Sequence, residues 1–207
     1  MKNKKALISI IIVLAVVIID QLLKIWVKTS FFYGEEYRIT NWFRLVFIEN
    51  NGMAFGMEII NKLVLTLFRI VAGILFVYYI LRITKVEGVK WGYIVSVALI
   101  TAGTIGNAID CTFYGVLFDN PPYPFTATFL PPDGGYGTLF HGRVVDMFYF
   151  PLCQWTWPQW LPWVGGEHFV FFQPIFNVAD AALSVGVILL IFFYSKYIST
   201  PLPKKEN

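Results

Sequence analysis

Four apolar stretches, each close to the length that crosses a bilayer, dominate this chain: residues 6–27, 62–83, 91–111 and 178–198. A hydrocarbon core takes about 20 residues of helix to span. Backbone N–H and C=O groups find no water there, so a spanning segment of this kind must be helical. Of the 207 residues 57% are hydrophobic and 14% charged, with a mean hydropathy of +0.63, well away from the balance of soluble domains. The expected fold is an all-α membrane protein, a single membrane domain over 1–207 with four transmembrane helices. Its loops 28–61 and 112–177 should carry a small β element and an aromatic-rich segment. The first apolar run continues to Val27 with no small-x-small cleavage site, so it reads as a retained helix rather than a secretory leader.

The cations set the orientation. Lys2, Lys4 and Lys5, then Arg82, Lys85 and Lys90, then Lys196, Lys204 and Lys205 cluster at helix ends. A Lys/Arg excess marks the cytoplasmic side, which puts both termini inside and the two long loops outside. These clusters form no basic groove, so no nucleic-acid partner is expected. Cys111 and Cys153 both fall outside in this topology, where a disulfide is permitted. No His-x-x-x-His or Cys-x-x-Cys spacing supports a zinc site, and neither metal nor cofactor is expected.

Four aspartates, Asp20, Asp110, Asp146 and Asp180, lie in or beside the apolar runs. An ionisable group at membrane depth is costly and by default marks function. Spans one and three run outward and span four inward, so Asp20, Asp110 and Asp180 share the outer leaflet. Asp146, in the loop before span four, is free to return to that level.

Asn107 and Asp110 are three residues apart, as are Asn177 and Asp180, which places amide and carboxylate on one helix face. Alone, such pairs are also what glues membrane helices together. A third segment, Gly142-Arg143-Val144-Val145-Asp146, combined with Asp180, suggests a carboxylate dyad. Two neighbouring aspartates cannot both ionise readily, so one keeps a proton while the other accepts one from water. Aspartic proteases work this way.

The outer loops hold the remaining signals. Residues 36–40 and 42–48 read as a hairpin, followed by Glu49-Asn50-Asn51-Gly52, where glycine permits a tight turn. Trp155, Trp157, Trp160 and Trp163 read either as an interfacial anchor belt or as a lid over a lipid-facing cleft.

Taken in order, Asp20-Gln21-x-x-Lys24, Asn50-x-Gly52-x-Ala54-Phe55, Gly106-Asn107-x-x-Asp110, Gly142-x-Val144-Val145-Asp146 and Phe176-Asn177-x-Ala179-Asp180 resemble bacterial lipoprotein signal peptidase (signal peptidase II). The resemblance runs from Asp20 to Gly186. It implies a membrane-embedded aspartic endopeptidase of the bacterial cytoplasmic (inner) membrane that removes the signal peptide from prolipoproteins, cutting before a diacylglyceryl-modified cysteine. It places the catalytic dyad on Asp146 and Asp180. It makes Asp20, Lys24, Asn50, Gly52, Asn107, Asp110, Arg143 and Asn177 substrate-binding or site-supporting positions. The implied partners are the lipid-modified prolipoprotein and membrane lipid; one four-helix bundle holds a complete site, so a monomer is expected.

Two departures from the family pattern stand out. Cys111 occupies the place of an arginine beside Asp110, and Arg69 or Arg143 is the candidate to replace that charge. An insertion of about 25 residues between Gly115 and Gly142 creates a rival for the first catalytic position at Asp119, which runs into the turn signal Asn120-Pro121-Pro122. The competing function is a proton- or ion-coupled small carrier. Crowding of the carboxylates in one leaflet and the lack of paired broken helices count against it.

Overall fold

A computed structural model describes residues 2–51 and 61–199; Gly52 lies outside the described residues. Helix α1 covers Lys2–Ser30, α2 Lys62–Ile83, α3 Trp91–Leu117, α4 Val178–Tyr194 and the short α5 Lys196–Ser199. Between them lie β1 (Glu36–Arg38), β2 (Arg44–Asn50), β3 (Val144–Tyr149), β4 (Cys153–Thr156), β5 (His168–Phe171) and β6 (Ile175–Phe176).

Among the described residues three helices are long and apolar enough to cross a membrane: Lys4–Ser30, Lys62–Ile83 and Trp91–Leu117. The fourth expected span is shorter. Helix α4 has 17 residues and stops at Tyr194, where the apolar run meets Ser195 and Lys196 and a separate turn, α5, begins. Helix α3, in contrast, extends to Leu117, six residues beyond the expected boundary at Cys111. The β content also exceeds the single small element expected, because strands from both long loops assemble.

The outer faces of the bundle are apolar, and its interior holds both apolar clusters and buried polar side chains. On α1, Leu7, Ile11, Leu14, Ile18 and Leu22 are exposed, whereas Ser9, Asp20, Lys24 and Lys28 are buried. The exposed set recurs every three or four residues and forms one helical stripe. Val64, Leu67, Phe68, Val71, Ile74, Leu75 and Tyr78 continue this exposed apolar surface on α2. A contiguous patch of that size is incompatible with water and fits lipid.

Helix α3 is the hub, packing on α1, α2 and α4. Small residues permit the closest approaches. A Cβ on Gly106 would stand 2.8 Å from Asp20 Oδ2 and 2.9 Å from Ala179 Cβ, and one on Gly103 would stand 2.7 Å from Leu183 Cβ. Three helices thus meet at Gly106. Gly106→Val should cost about 1–3 kcal/mol by overpacking, read as a lowered unfolding temperature in detergent with loss of the Asp20 contacts described below.

Strands β1, β2, β3 and β6 form an antiparallel sheet in that order. The register pairs Ile48 with Asp146 and Asn50 with Val144. Paired residues and their i±2 neighbours share a face, so Asn50 and Asp146 lie on the same side. Phe148 pairs with Phe176, and β6 runs directly into α4 through Asn177. That pairing carries the start of α4 to the level of Asp146.

The insertion folds back onto the end of α3. Gly137 N–H donates to Gly115 O (2.8 Å) and Leu130 N–H to Leu117 O (2.7 Å), so it supplies partners for carbonyls that a helix C-terminus leaves unmatched. Gly142, which follows the insertion, donates N–H to Cys111 O at 2.9 Å. A Cβ there would collide with Asp110 O and stand 2.9 Å from Tyr114 N. Glycine at this position lets β3 start flush against α3.

Candidate active site

Helix α4 begins under a double cap. Asn177 Oδ1 accepts from Asp180 N–H at 2.8 Å, an N-cap bond to the third helical residue. Asp20 Oδ1, from α1, accepts from Ala179 N–H at 2.8 Å. Asp180 thus stands in the first turn of α4, where a carboxylate sits well with the helix macrodipole.

Asn177 and Asn107 join the two residues of the candidate dyad, Asp146 and Asp180. Asn177 Nδ2 donates to Asp146 Oδ1 at 2.6 Å and lies 3.2 Å from both Val145 O and Asn107 Oδ1. Asn107 Nδ2 donates to Asp180 Oδ1 at 2.7 Å. Asn50 Nδ2 donates to Asp146 Oδ2. The amides orient both carboxyl groups while Asp180 remains within electrostatic reach of Asp146. Burial, and after it the charge of Asp180, pushes the Asp146 carboxyl up to about 8. It therefore carries a proton at neutral pH.

Beneath the dyad sits a buried ion triad. Lys24 Nζ lies 2.8 Å from Asp20 Oδ2, 2.8 Å from Asp110 Oδ2 and 2.9 Å from Asn107 Oδ1. An ammonium has three donors, and all three are engaged. Lys24, Asp20 and Asp110 are fully buried. Asp110 Oδ2 also accepts from Val145 N–H at 3.3 Å, which fixes β3 one residue before Asp146. Gln21, whose role its place in the sequence does not announce, donates Nε2 to Asp110 Oδ1 at 2.8 Å and accepts from Tyr114 OH at 3.1 Å.

The cation beside Asp110 is therefore Lys24, and neither Arg69 nor Arg143 takes that place. Arg69 donates to Cys111 Sγ at 2.9 Å. Arg143 pairs with Glu49 Oε2 at 3.2 Å, and its backbone N–H donates to Tyr136 OH at 2.7 Å. Its guanidinium stands over the Tyr136 ring, 4.9 Å from the centroid. Glu49 also binds Lys28, which is buried among Phe47, Phe118 and Tyr136. Arg143 thus clamps β2, β3 and the insertion together next to the dyad instead of facing it. Gln21 stands in the motif that carries the resemblance but is given no role there, and Lys28, Glu49 and Tyr136 are missed; a basic residue one turn after Lys24 is the available signal.

Asp119, the rival position, is engaged inside the insertion: its Oδ1 accepts from Thr128 N–H at 2.6 Å. Cys111 is buried, Cys153 is exposed, and both are free thiols; the permitted disulfide is not formed.

Residues 12–196 match the family model described as signal peptidase (SPase) II. The chain belongs to the signal peptidase II family. Similar signal peptidase II relatives include the lipoprotein signal peptidase of Porphyromonas gingivalis, 46% identical over 196 residues, covering 95% of this chain and 86% of the relative. The lipoprotein signal peptidase of Amoebophilus asiaticus is 36% identical over 205 residues, covering 94% and 80%. The fold is also similar to a bacterial membrane enzyme solved by the in meso method at 2.3 Å resolution, with a TM-score of 0.60, 24% identity, and coverage of 96% of this chain and 94% of that one.

Proposed function

We propose that this signal peptidase II family member is an aspartic endopeptidase that removes signal peptides from prolipoproteins, cleaving before the diacylglyceryl-modified cysteine, with Asp146 and Asp180 as its catalytic pair. The observation that carries the reading is the cross-bracing of the buried Asp146 and the half-buried Asp180 carboxyl groups by Asn107 and Asn177, with Asp146 held protonated. The relatives named lipoprotein signal peptidase supply the substrate class.

In this mechanism a water lies between the two carboxyl groups. Asp180 takes its proton as the oxygen attacks the scissile carbonyl, while Asp146 donates its own proton to the carbonyl oxygen. The tetrahedral diol then collapses. Its C–N bond breaks, Asp180 returns its proton to the departing cysteine nitrogen, and Asp146 recovers one from the diol hydroxyl. The dyad ends as it began. Asn50, Asn107 and Asn177 hold the pair in place, and the Asp20–Lys24–Asp110 triad supports the asparagines.

The four apolar helices, α4 included, are taken to form one membrane domain in the bacterial cytoplasmic membrane, with both termini cytoplasmic. Asp20, Asp110 and Asp180 then lie towards the outer leaflet, where a lipid-anchored peptide can enter sideways and meet water. One copy holds all these residues, which fits a monomer.

The test uses purified protein reconstituted in bilayers with a diacylglyceryl-modified prolipoprotein. A gel shift to the mature lipoprotein is expected, with the unmodified precursor left uncut. Lack of cleavage, with proton or ion flux in its place, would favour a carrier.

A further inference from the structure

The β4–β5 hairpin is amphipathic in a way the catalytic reading does not use. Its register pairs Cys153 with Phe171 and Trp155 with Phe169, then Gln154 with Val170 and Thr156 with His168. Alternation across a strand pair sends the first two pairs to one face and the last two to the other. One face is therefore Cys, Trp and two Phe, the other Gln, Thr, His and Val. Trp155 and Phe169 are in contact, with ring centroids 4.4 Å apart.

This aromatic face is not covered by the body of the protein. All four β4 residues are exposed, Phe171 and Phe172 are exposed, and at the tip Trp160 and Trp163 are 78% and 95% exposed. Residues 151–174 contain no Lys, Arg or Asp, and Glu167 is the sole carboxylate. A neutral, tryptophan-rich face does not suit bulk water. The hairpin leaves the sheet between β3 and β6, and β6 leads into α4, on which Val185, Ile188, Ile191 and Phe192 are exposed.

We infer that this hairpin lies in the plane of the outer membrane–water boundary, with Cys153, Trp155, Phe169 and Phe171 against lipid and Gln154, Thr156 and His168 towards water. Tryptophan favours this boundary because its large ring is apolar and its N–H needs a polar partner. A surface element with one apolar and one polar face binds by burying the former in the headgroup–acyl region. Its occupant is the bilayer itself; a lid closing on the dyad or a second copy of the chain would cover the same face with protein.

The native thiol on the aromatic face provides the test. Cys111 is buried, so a nitroxide label attaches at Cys153 of the full chain, reconstituted in bilayers of phosphatidylethanolamine and phosphatidylglycerol. A second sample carries the label on the opposite face in the Cys153→Ser, Thr156→Cys variant. Electron paramagnetic resonance should find the Cys153 label several-fold more accessible to oxygen than to an aqueous nickel chelate, and the label on the opposite face the reverse. Equal exposure of both labels to the chelate would overturn the inference, as would a Cys153 label shielded from both reagents.

Discussion

Asp146→Asn and Asp180→Asn each eliminate cleavage of the lipid-modified substrate while leaving the protein folded. The asparagine side chain keeps the volume and one acceptor oxygen: in Asp180→Asn it still accepts from Asn107 Nδ2, and in Asp146→Asn it accepts from Asn50 while Asn177 Nδ2 keeps Val145 O and Asn107 Oδ1 at 3.2 Å. What disappears is the ability to exchange a proton with water and with the leaving amine. General acid–base catalysis contributes about 10²–10⁴-fold per group, and the two members of a dyad act as one unit, so a loss of about 10³-fold or more is expected from either change. Asp119→Asn, by contrast, changes a carboxylate whose Oδ1 accepts from Thr128 N–H within the insertion and leaves the rate near wild type. The gel-shift assay on all three variants, with thermal unfolding in detergent as the check on folding, reads these outcomes.

Lys24→Met destabilises the protein severely. It leaves Asp20 and Asp110 buried on facing helices without their shared cation and removes the donor that fixes Asn107 Oδ1. Removing one partner of a buried ion pair costs about 3–5 kcal/mol, a large part of the stability of a single domain. Lys24→Arg is not a conservative repair. Three acceptors at 2.8 Å, 2.8 Å and 2.9 Å surround Nζ, which suits a compact ammonium and not a planar guanidinium. Both variants should show a lower unfolding temperature and little or no cleavage. A normal unfolding temperature for Lys24→Met would show that the triad is not needed for folding.

The membrane bundle was legible because length and apolarity nearly determine a spanning helix, and the Asn/Asp pairs were legible because helical spacing determines which residues share a face. Asp20 and Lys24, four residues apart on α1, share a face by the same rule and pair at 2.8 Å. What escaped were contacts made across elements. The expected replacement for the arginine missing at Cys111 is Arg69 or Arg143, whereas the cation beside Asp110 is Lys24 of α1, on a helix whose Asp20 packs against Gly106. Glu49 and Lys28 read as ordinary outer-loop and helix-end charges; only the register of β2 on β3 and the return of the insertion through Tyr136 enclose them. The shorter α4 escaped for a different reason: an apolar run continuing past Ser195 and Lys196 does not announce that the helix divides there.

Residues 153–156 alternate apolar and polar, but residues 168–171, His-Phe-Val-Phe, do not, so the two faces of the hairpin emerge only from the strand register. Once the register is known, the choice between belt and lid becomes a question about which face meets lipid.

The sharing of one proton by Asp146 and Asp180 is tested most directly by the pH dependence of cleavage in the reconstituted wild-type protein. Asp146 is raised from 3.8 to about 8 by burial and the neighbouring charge. Because its ionised form is disfavoured in the fold, ionisation also opposes folding, an effect absent below 3.8 that grows with pH and is complete above about 8. kcat should fall as pH rises through about 8, as the dyad loses its proton, before the protein unfolds. A rate that climbs through pH 8 and stays high above it, as a nucleophile activated by deprotonation would give, would contradict the account.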